Sequence, residues 1–178
     1  MPACLPLSTY HRINVSTAVV KLLIDLEKLR ALPSEQVACS YSDHPDNRGV
    51  QDLVEKATFA VICRRCELAT CVQSCPQDAL EKQTNDVLTR YVLRCSNCYS
   101  CAAACPFGTI IPEYIPLHTS ICDVCLGRLP PGEVPLCART APEEAIQYGD
   151  SAPDEEKGIY AFGEHVLVKA GKWEKDKV

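Results

Sequence analysis

Twelve of the thirteen cysteines in this 178-residue chain stand at spacings used by thiolate ligands of inorganic clusters. Cys63-x2-Cys66-x4-Cys71-x3-Cys75 runs into Pro76, Cys95-x2-Cys98-x2-Cys101-x3-Cys105 runs into Pro106, and Cys122-x2-Cys125-x11-Cys137 follows. Cys39 stands alone upstream, and Cys4 lies in the opening Met-Pro-Ala-Cys stretch. Setting Cys4 aside leaves the thiolates that three [4Fe-4S] cubanes need, at about four each. The chemistry is one-electron storage and transfer, which asks no acid or base of the protein. Burial, N–H bonds to sulfur and nearby charge are its controls.

The Cys95 group is the bacterial ferredoxin run, whose fourth cysteine ligates the other cluster of a pair. One cluster is therefore expected on Cys63, Cys66, Cys71 and Cys105, and a second on Cys95, Cys98, Cys101 and Cys75. The same lending completes Cys122, Cys125 and Cys137 with Cys39, Cys4 being the alternative donor. Counting back from Cys39 at ferredoxin spacing reaches Leu29, Leu32 and Glu35, and counting on from Cys137 reaches Ala141. These four positions would all have served one cluster, so the pattern reads as three complete sites and one lost site. Restoring cysteine at all four is expected to raise iron toward ~16 per chain. The rival for the last group is a four-cysteine zinc site, which would leave two clusters.

These motifs resemble the four-cluster, ferredoxin-like electron-transfer subunits of molybdenum and tungsten pterin oxidoreductases, such as the β subunits of dimethyl sulfoxide reductase and formate dehydrogenase. The run from Cys63 to Pro76 is similar to that family's second motif. Cys122, Cys125, Gly127 and Arg128, followed by Gly132, Pro135 and Cys137, are similar to its fourth. The likeness spans about residues 24–150, and Leu29, Leu32, Glu35 and Ala141 depart from it at the family's first cluster. The resemblance implies clusters in a line, the lost one at an end. It also implies an obligate subunit between a large catalytic oxidoreductase subunit and a further electron-transfer protein. Among three-cluster versions the chain looks most like the small iron–sulfur subunit of tungsten-dependent benzoyl-CoA reductases, which belong to anaerobic metabolism. The alternative is a freestanding polyferredoxin.

Holding these thiolates is a lean scaffold. Apolar residues make up 47% of the chain but aromatics only 6%, with 13 prolines and 8 glycines. That favours short elements and turns over long helices, with metal binding supplying part of the folding energy. An α+β fold is expected, made of duplicated bacterial-ferredoxin-like modules whose short strands and helical turns surround [4Fe-4S] clusters. The duplicated unit is Cys75-Pro76 to Leu80, then Cys105-Pro106 to Ile110, then Ala141-Pro142 to Ile146. A helical turn is expected after each proline, and Leu80, Ile110 and Ile146 are expected to cover the clusters. Proline biases the residue before it to extended backbone, turning that sulfur across the loop.

The run Val19–Ile24 reads as a strand, or as a helix continuing to Arg30, and 87–93 reads as a strand leading into Cys95. Residues 149–158 read as a loop, and 159–168 as an edge strand or hairpin. The division is 1–56 with the degenerate motif and Cys39, 57–115 as the central two-cluster module, 116–150 packing on Cys39, and 151–178 as a tail anchored by Trp173.

A net charge of −5, nearer −11 with three cubanes at about −2 each, argues against nucleic acid as a partner. Arg64, Arg65, Arg94 and Arg139 are candidate counter-charges. The apolar run at 19–26 is broken by Lys21 and Asp25, so neither a signal peptide nor a membrane span is expected, and the location is cytoplasmic. The four histidines match no ligand spacing. Without a Ser/His/Asp set, a phosphate loop, a flavin motif or the C-x3-C-x2-C loop of radical enzymes, the chain is not expected to be an enzyme on its own.

Overall fold

The computed structural model describes residues 20–33, 36–40, 49–112 and 121–171. Cys4, His11, Glu35, His44, His118 and Trp173 lie outside the described residues. The architecture is mixed α+β.

Strand β1 (Lys21–Asp25) alternates so that Leu22 and Ile24 are buried. Asp25 then accepts a hydrogen bond from the Lys28 N–H at 3.2 Å and caps helix α1 (Leu26–Ala31). One apolar run thus holds both a strand and a helix, because a capping aspartate divides it. Helix α2 (Gly49–Val61) turns Leu53, Val54 and Ala57 to the main core and, at its far end, Phe59 to a second core. At about 1.5 Å per residue it spans about 20 Å.

Short helices α3 (Thr70–Gln73) and α4 (Ser100–Ala104) are tied together where the Thr70 hydroxyl donates to the Ala104 carbonyl at 2.8 Å. Between them lies a hairpin of β2 (Leu80–Lys82) and β3 (Leu88–Arg90). The strand expected over 87–93 stops at Arg90. Val92–Arg94 is a 3₁₀ turn instead, and the Cys95 N–H closes it on the Val92 carbonyl.

Helix α5 (Leu136–Thr140) leads to β4 (Ile146–Gly149), then β5 (Ile159–Ala161) and β6 (Val166–Lys169). Four strands form a sheet in the order β4-β1-β6-β5, with β1 antiparallel to β4 and parallel to β6. The segment read as a tail therefore supplies half of this sheet. Its strand β6 is interior, with Val166, Leu167 and Val168 all buried, while β5 takes the edge. Weak alternation along 159–168 is what a strand buried on both faces produces.

A short helix precedes each step, with α3, α4 and α5 leading into Cys75, Cys105 and Ala141, and the helical turn expected after the proline forms only in the third unit, as the 3₁₀ turn Pro142–Glu144. Beyond the proline the backbone turns left-handed, at Asp78 (φ 47°), at Gly108 (φ 61°), and at Glu143 and Glu144 (φ 52° and 55°). That reversal drops a small residue (Ala79, Thr109, Ala145) and then an aliphatic one (Leu80, Ile110, Ile146) into the interior. Among the described residues no helix is long and apolar enough to cross a membrane.

Candidate metal centre

Three cysteine groups are arranged along and beside α2. The first begins where α2 ends, with the Cys63 N–H on the Thr58 carbonyl at 3.0 Å. Cys63, Cys66, Cys71 and Cys105 line one cavity, with Ile110, Leu88 and Phe107 among its apolar walls. Arg65, before the second cysteine, is left-handed (φ 51°), and its guanidinium donates to the Ala60 carbonyl at 3.0 Å. The Lys82 ammonium donates to the Cys66 carbonyl at 2.9 Å, and Arg64 stacks over Phe107. Burial opposes ionisation of Cys105, but the N–H groups of Phe107, Thr109 and Ile110 outweigh it and hold this thiol below its usual range. Such convergent amides suit a thiolate. Cys71 moves the other way: burial first, then the neighbouring Cys105 and Cys63, push its thiol up.

The second group is delivered by the 3₁₀ turn before Cys95 and by α4. Asn97 is left-handed (φ 58°) at the same place in its loop as Arg65, and Tyr99 (φ 60°) starts α4. Cys101 is buried, and burial, together with the charges of Cys95 and Cys75, raises its thiol to about 11. Cys75 accepts from the Ala79 N–H at 3.2 Å. Cys98 is exposed at the rim, where the Ser100 hydroxyl and N–H lower its pKa.

The third group joins segments far apart in sequence. Cys39, Cys122, Cys125 and Cys137 line a cavity walled by Leu22, Val50, Leu53 and Pro135. The Ala38 N–H donates to the Thr140 hydroxyl at 3.0 Å, binding the Cys39 segment to α5. The N–H of Cys122 donates to the Asp52 carboxylate of α2 at 2.8 Å. Gly49 sits so close that a Cβ there would lie 3.3 Å from the Cys39 sulfur. Val124 is left-handed (φ 55°), repeating the position of Arg65 and Asn97 with a β-branched residue that resists it. An Asp123 turn onto the Cys125 N–H at 2.9 Å, braced by Arg128, supports this loop. Burial raises Cys122 to about 11 and, with the charges of Cys122, Cys125 and Cys39 added, Cys137 to about 12.

The donor set fits an iron–sulfur body. In two of the three groups, four cysteine sulfurs from separated segments surround a cavity, and backbone N–H groups reach Cys75, Cys105 and Cys122. Among the described residues no three His, Cys, Asp or Glu side chains converge as the ligands of a single ion.

Of the positions expected to be lost ligands, Leu29 is buried in the main core, and Leu32 and Ala141 pack against it. Of the arginines singled out by proximity to cysteine, Arg64 and Arg65 line the first cavity, whereas Arg94 stacks on Tyr91. Sequence reasoning missed Arg128, whose guanidinium is 3.7 Å from the Cys125 sulfur, although it stands three residues on in the same motif. It also missed Glu55, Asp52 and Gly49, which carry no ligand spacing and reach the sites only because α2 runs past them.

Residues 54–151 match the 4Fe-4S dicluster domain family. The chain is 34% identical over 93 residues to the thiosulfate reductase electron transfer subunit PhsB of Salmonella typhi, covering 50% of this chain and 47% of that protein. It is 32% identical over 102 residues to the formate dehydrogenase iron-sulfur subunit of Haemophilus influenzae, covering 56% and 31%. The match to the putative electron transport protein YsaA of Escherichia coli is 30% over 143 residues, covering 72% and 88%. The chain thus spans about half the length of PhsB, about a third of the formate dehydrogenase subunit, and most of YsaA.

Proposed function

The chain belongs to the 4Fe-4S dicluster domain family, and from that premise we propose that it is an iron–sulfur electron-transfer subunit holding three [4Fe-4S] clusters. When bound, each cluster supplies reversible one-electron chemistry. Cys63, Cys66, Cys71 and Cys105 hold one; Cys95, Cys98, Cys101 and Cys75 hold the second; Cys122, Cys125, Cys137 and Cys39 hold the third. The central module 57–115 carries two and the segment 116–150 with Cys39 carries the third. The observation that carries this reading is that both cavities walled by four cysteines draw one sulfur from a distant segment. Aliphatic walls limit water, and backbone amides directed at sulfur favour thiolates over thiols.

The partner is a large catalytic subunit of the molybdenum or tungsten pterin type, with a second redox protein at the other end and no catalysis by this chain itself. The names of PhsB and of the formate dehydrogenase iron-sulfur subunit, each a subunit of a larger oxidoreductase, support that assignment. Its narrowest form, on the three-cluster count, is a cytoplasmic tungsten-dependent benzoyl-CoA reductase. Leu29, Leu32, Glu35 and Ala141 mark a lost fourth site, and Leu29, Leu32 and Ala141 now lie in or against the core.

Anaerobic purification with metal and sulfide analysis tests the count. About 12 iron per chain is expected for three four-iron clusters, whereas about 8 iron with one zinc would assign the Cys122 group to zinc. A compact diffusible carrier is the second reading, favoured by the 88% coverage of YsaA. A native complex with a large subunit on size exclusion supports the docked subunit. A brown monomer serving several enzymes supports the carrier.

A further inference from the structure

Glu55 of α2 and Arg90 at the end of β3 are 7% and 3% exposed at their side chains. They meet in a two-pronged ion pair, with Nη2 donating to Oε2 at 2.6 Å and Nε donating to Oε1. Burying two charges is costly, and an apolar pair of similar shape often serves a core as well. Glu55 commits both oxygens to Arg90. Arg90 keeps a third nitrogen, Nη1, buried without a hydrogen-bond partner among the described residues. Buried donors are nearly always satisfied, so an unmet one points to an acceptor not yet in place. Arg90 ends β3, and the chain runs from it through the 3₁₀ turn of Val92–Arg94 directly into Cys95, which packs against the same small core as Leu88; Cys95 is also among the groups whose charge acts on this guanidinium.

We propose that Arg90 is a positioning residue for the second cysteine quartet, held by Glu55 so that its free N–H and its charge face the sulfurs at Cys95 and favour the reduced state there. This rests on the iron–sulfur reading above. Taking up one electron adds one negative charge at those sulfurs, and no proton moves, because arginine keeps its own. A fixed cation in a poorly polarisable interior favours the more negative state. The cations beside the other quartets are less deeply placed: Arg64 and Arg65 are exposed, Arg128 is 38% exposed, and Lys82 is 23% exposed and shared with Asp86. Screening weakens them.

The test is a mediated redox titration of the full-length anaerobic protein, read by electron paramagnetic resonance, with iron and sulfide counted for every variant. Cys98→Ala identifies the signal of the second quartet by removing it. Glu55→Gln with Arg90→Gln keeps a hydrogen-bonded pair but removes the charges. At wild-type iron content, that signal is expected to move to a lower midpoint while the others stay. An unmoved midpoint at full iron overturns the inference and leaves the iron–sulfur reading standing. Wild-type protein with no iron or sulfide overturns that reading instead, and the inference with it. Where the double variant loses iron, Glu55→Leu with Arg90→Met decides, since it replaces the ion pair by apolar side chains of similar length and removes both the charge and the free N–H. A lower midpoint supports the proposal, and an identical one overturns it.

Discussion

Around the hairpin and the two interlocked cysteine loops, the buried cluster is small: Phe59, Leu80, Leu88, Cys101 and Ile110, with Cys63, Cys71, Cys95 and Cys105 packed against it. Around the four-stranded sheet it is larger, with Leu22, Ile24, Leu26, Leu29, Val37, Leu53, Val54, Ala57, Ala145, Ile146, Val166, Val168 and Ala170. Both regions use the same turn, a helical segment, a proline and a left-handed residue. They differ in what fills the space inside. Sulfur ligands stand around one interior. In the other, leucine and alanine occupy three of the positions where a further cluster's ligands would fall, and Cys122 and Cys137 sit at the core's margin. On the proposed reading of a lost cluster, hydrocarbon fills its place, while the cavity of Cys39, Cys122, Cys125 and Cys137 lies at the edge of this core, walled by Leu22 and Leu53.

Stripping iron with a chelator should break this equivalence most strongly. Hydrogen exchange is expected to lose protection across 63–107 first, while β1, β4 and β6 stay protected. Equal loss in both regions would mean that the sheet also depends on metal. Within the sheet region, Leu29→Ala should cost about 2–4 kcal/mol by chemical denaturation of loaded protein, with iron unchanged. Cysteine restored at 29, 32, 35 and 141 together is now expected to leave iron at the wild-type level, because Leu29, Leu32 and Ala141 belong to a closed core. A rise toward ~16 would show that the pocket reopens. Gly49→Ala should separate metal from fold at the third group. The added Cβ, 3.3 Å from the Cys39 sulfur, is expected to lower iron retention there, while iron-free protein gains up to about 1 kcal/mol from a helical alanine.

The smallest effect concerns acid. Arg128 holds the Asp123 carboxyl below its usual value of 3.8, so its contribution is present above that pH and fades as pH falls through the lower folded value. Both side chains are more than a third exposed, so solvent weakens the pair. Asp123→Asn is expected to speed iron release from the third group slightly at pH 7 and to flatten its acid limb.

Much of the candidate site is legible along the chain because ligand spacing is local. A C-x2-C loop and a Cys-Pro step carry their geometry within a few residues, and Arg65, Asn97 and Val124 turn left-handed at one repeated position. Counting donors from these loops also pairs Cys39 with the Cys122 group, and these four residues share a cavity. The same holds for the strand–helix switch at Asp25, once its capping role is seen.

The amino-acid order alone determined the spacing of the cysteine loops, the repeated proline step after each, and that the elements are short. Tertiary structure decided the rest. It placed β6 parallel beside β1 from the far end of the chain, ran α2 past the first and third cysteine groups, and brought Glu55 to Arg90. These are pairings between distant segments, chosen by which faces can be buried together, and no periodicity or spacing within either segment records its partner.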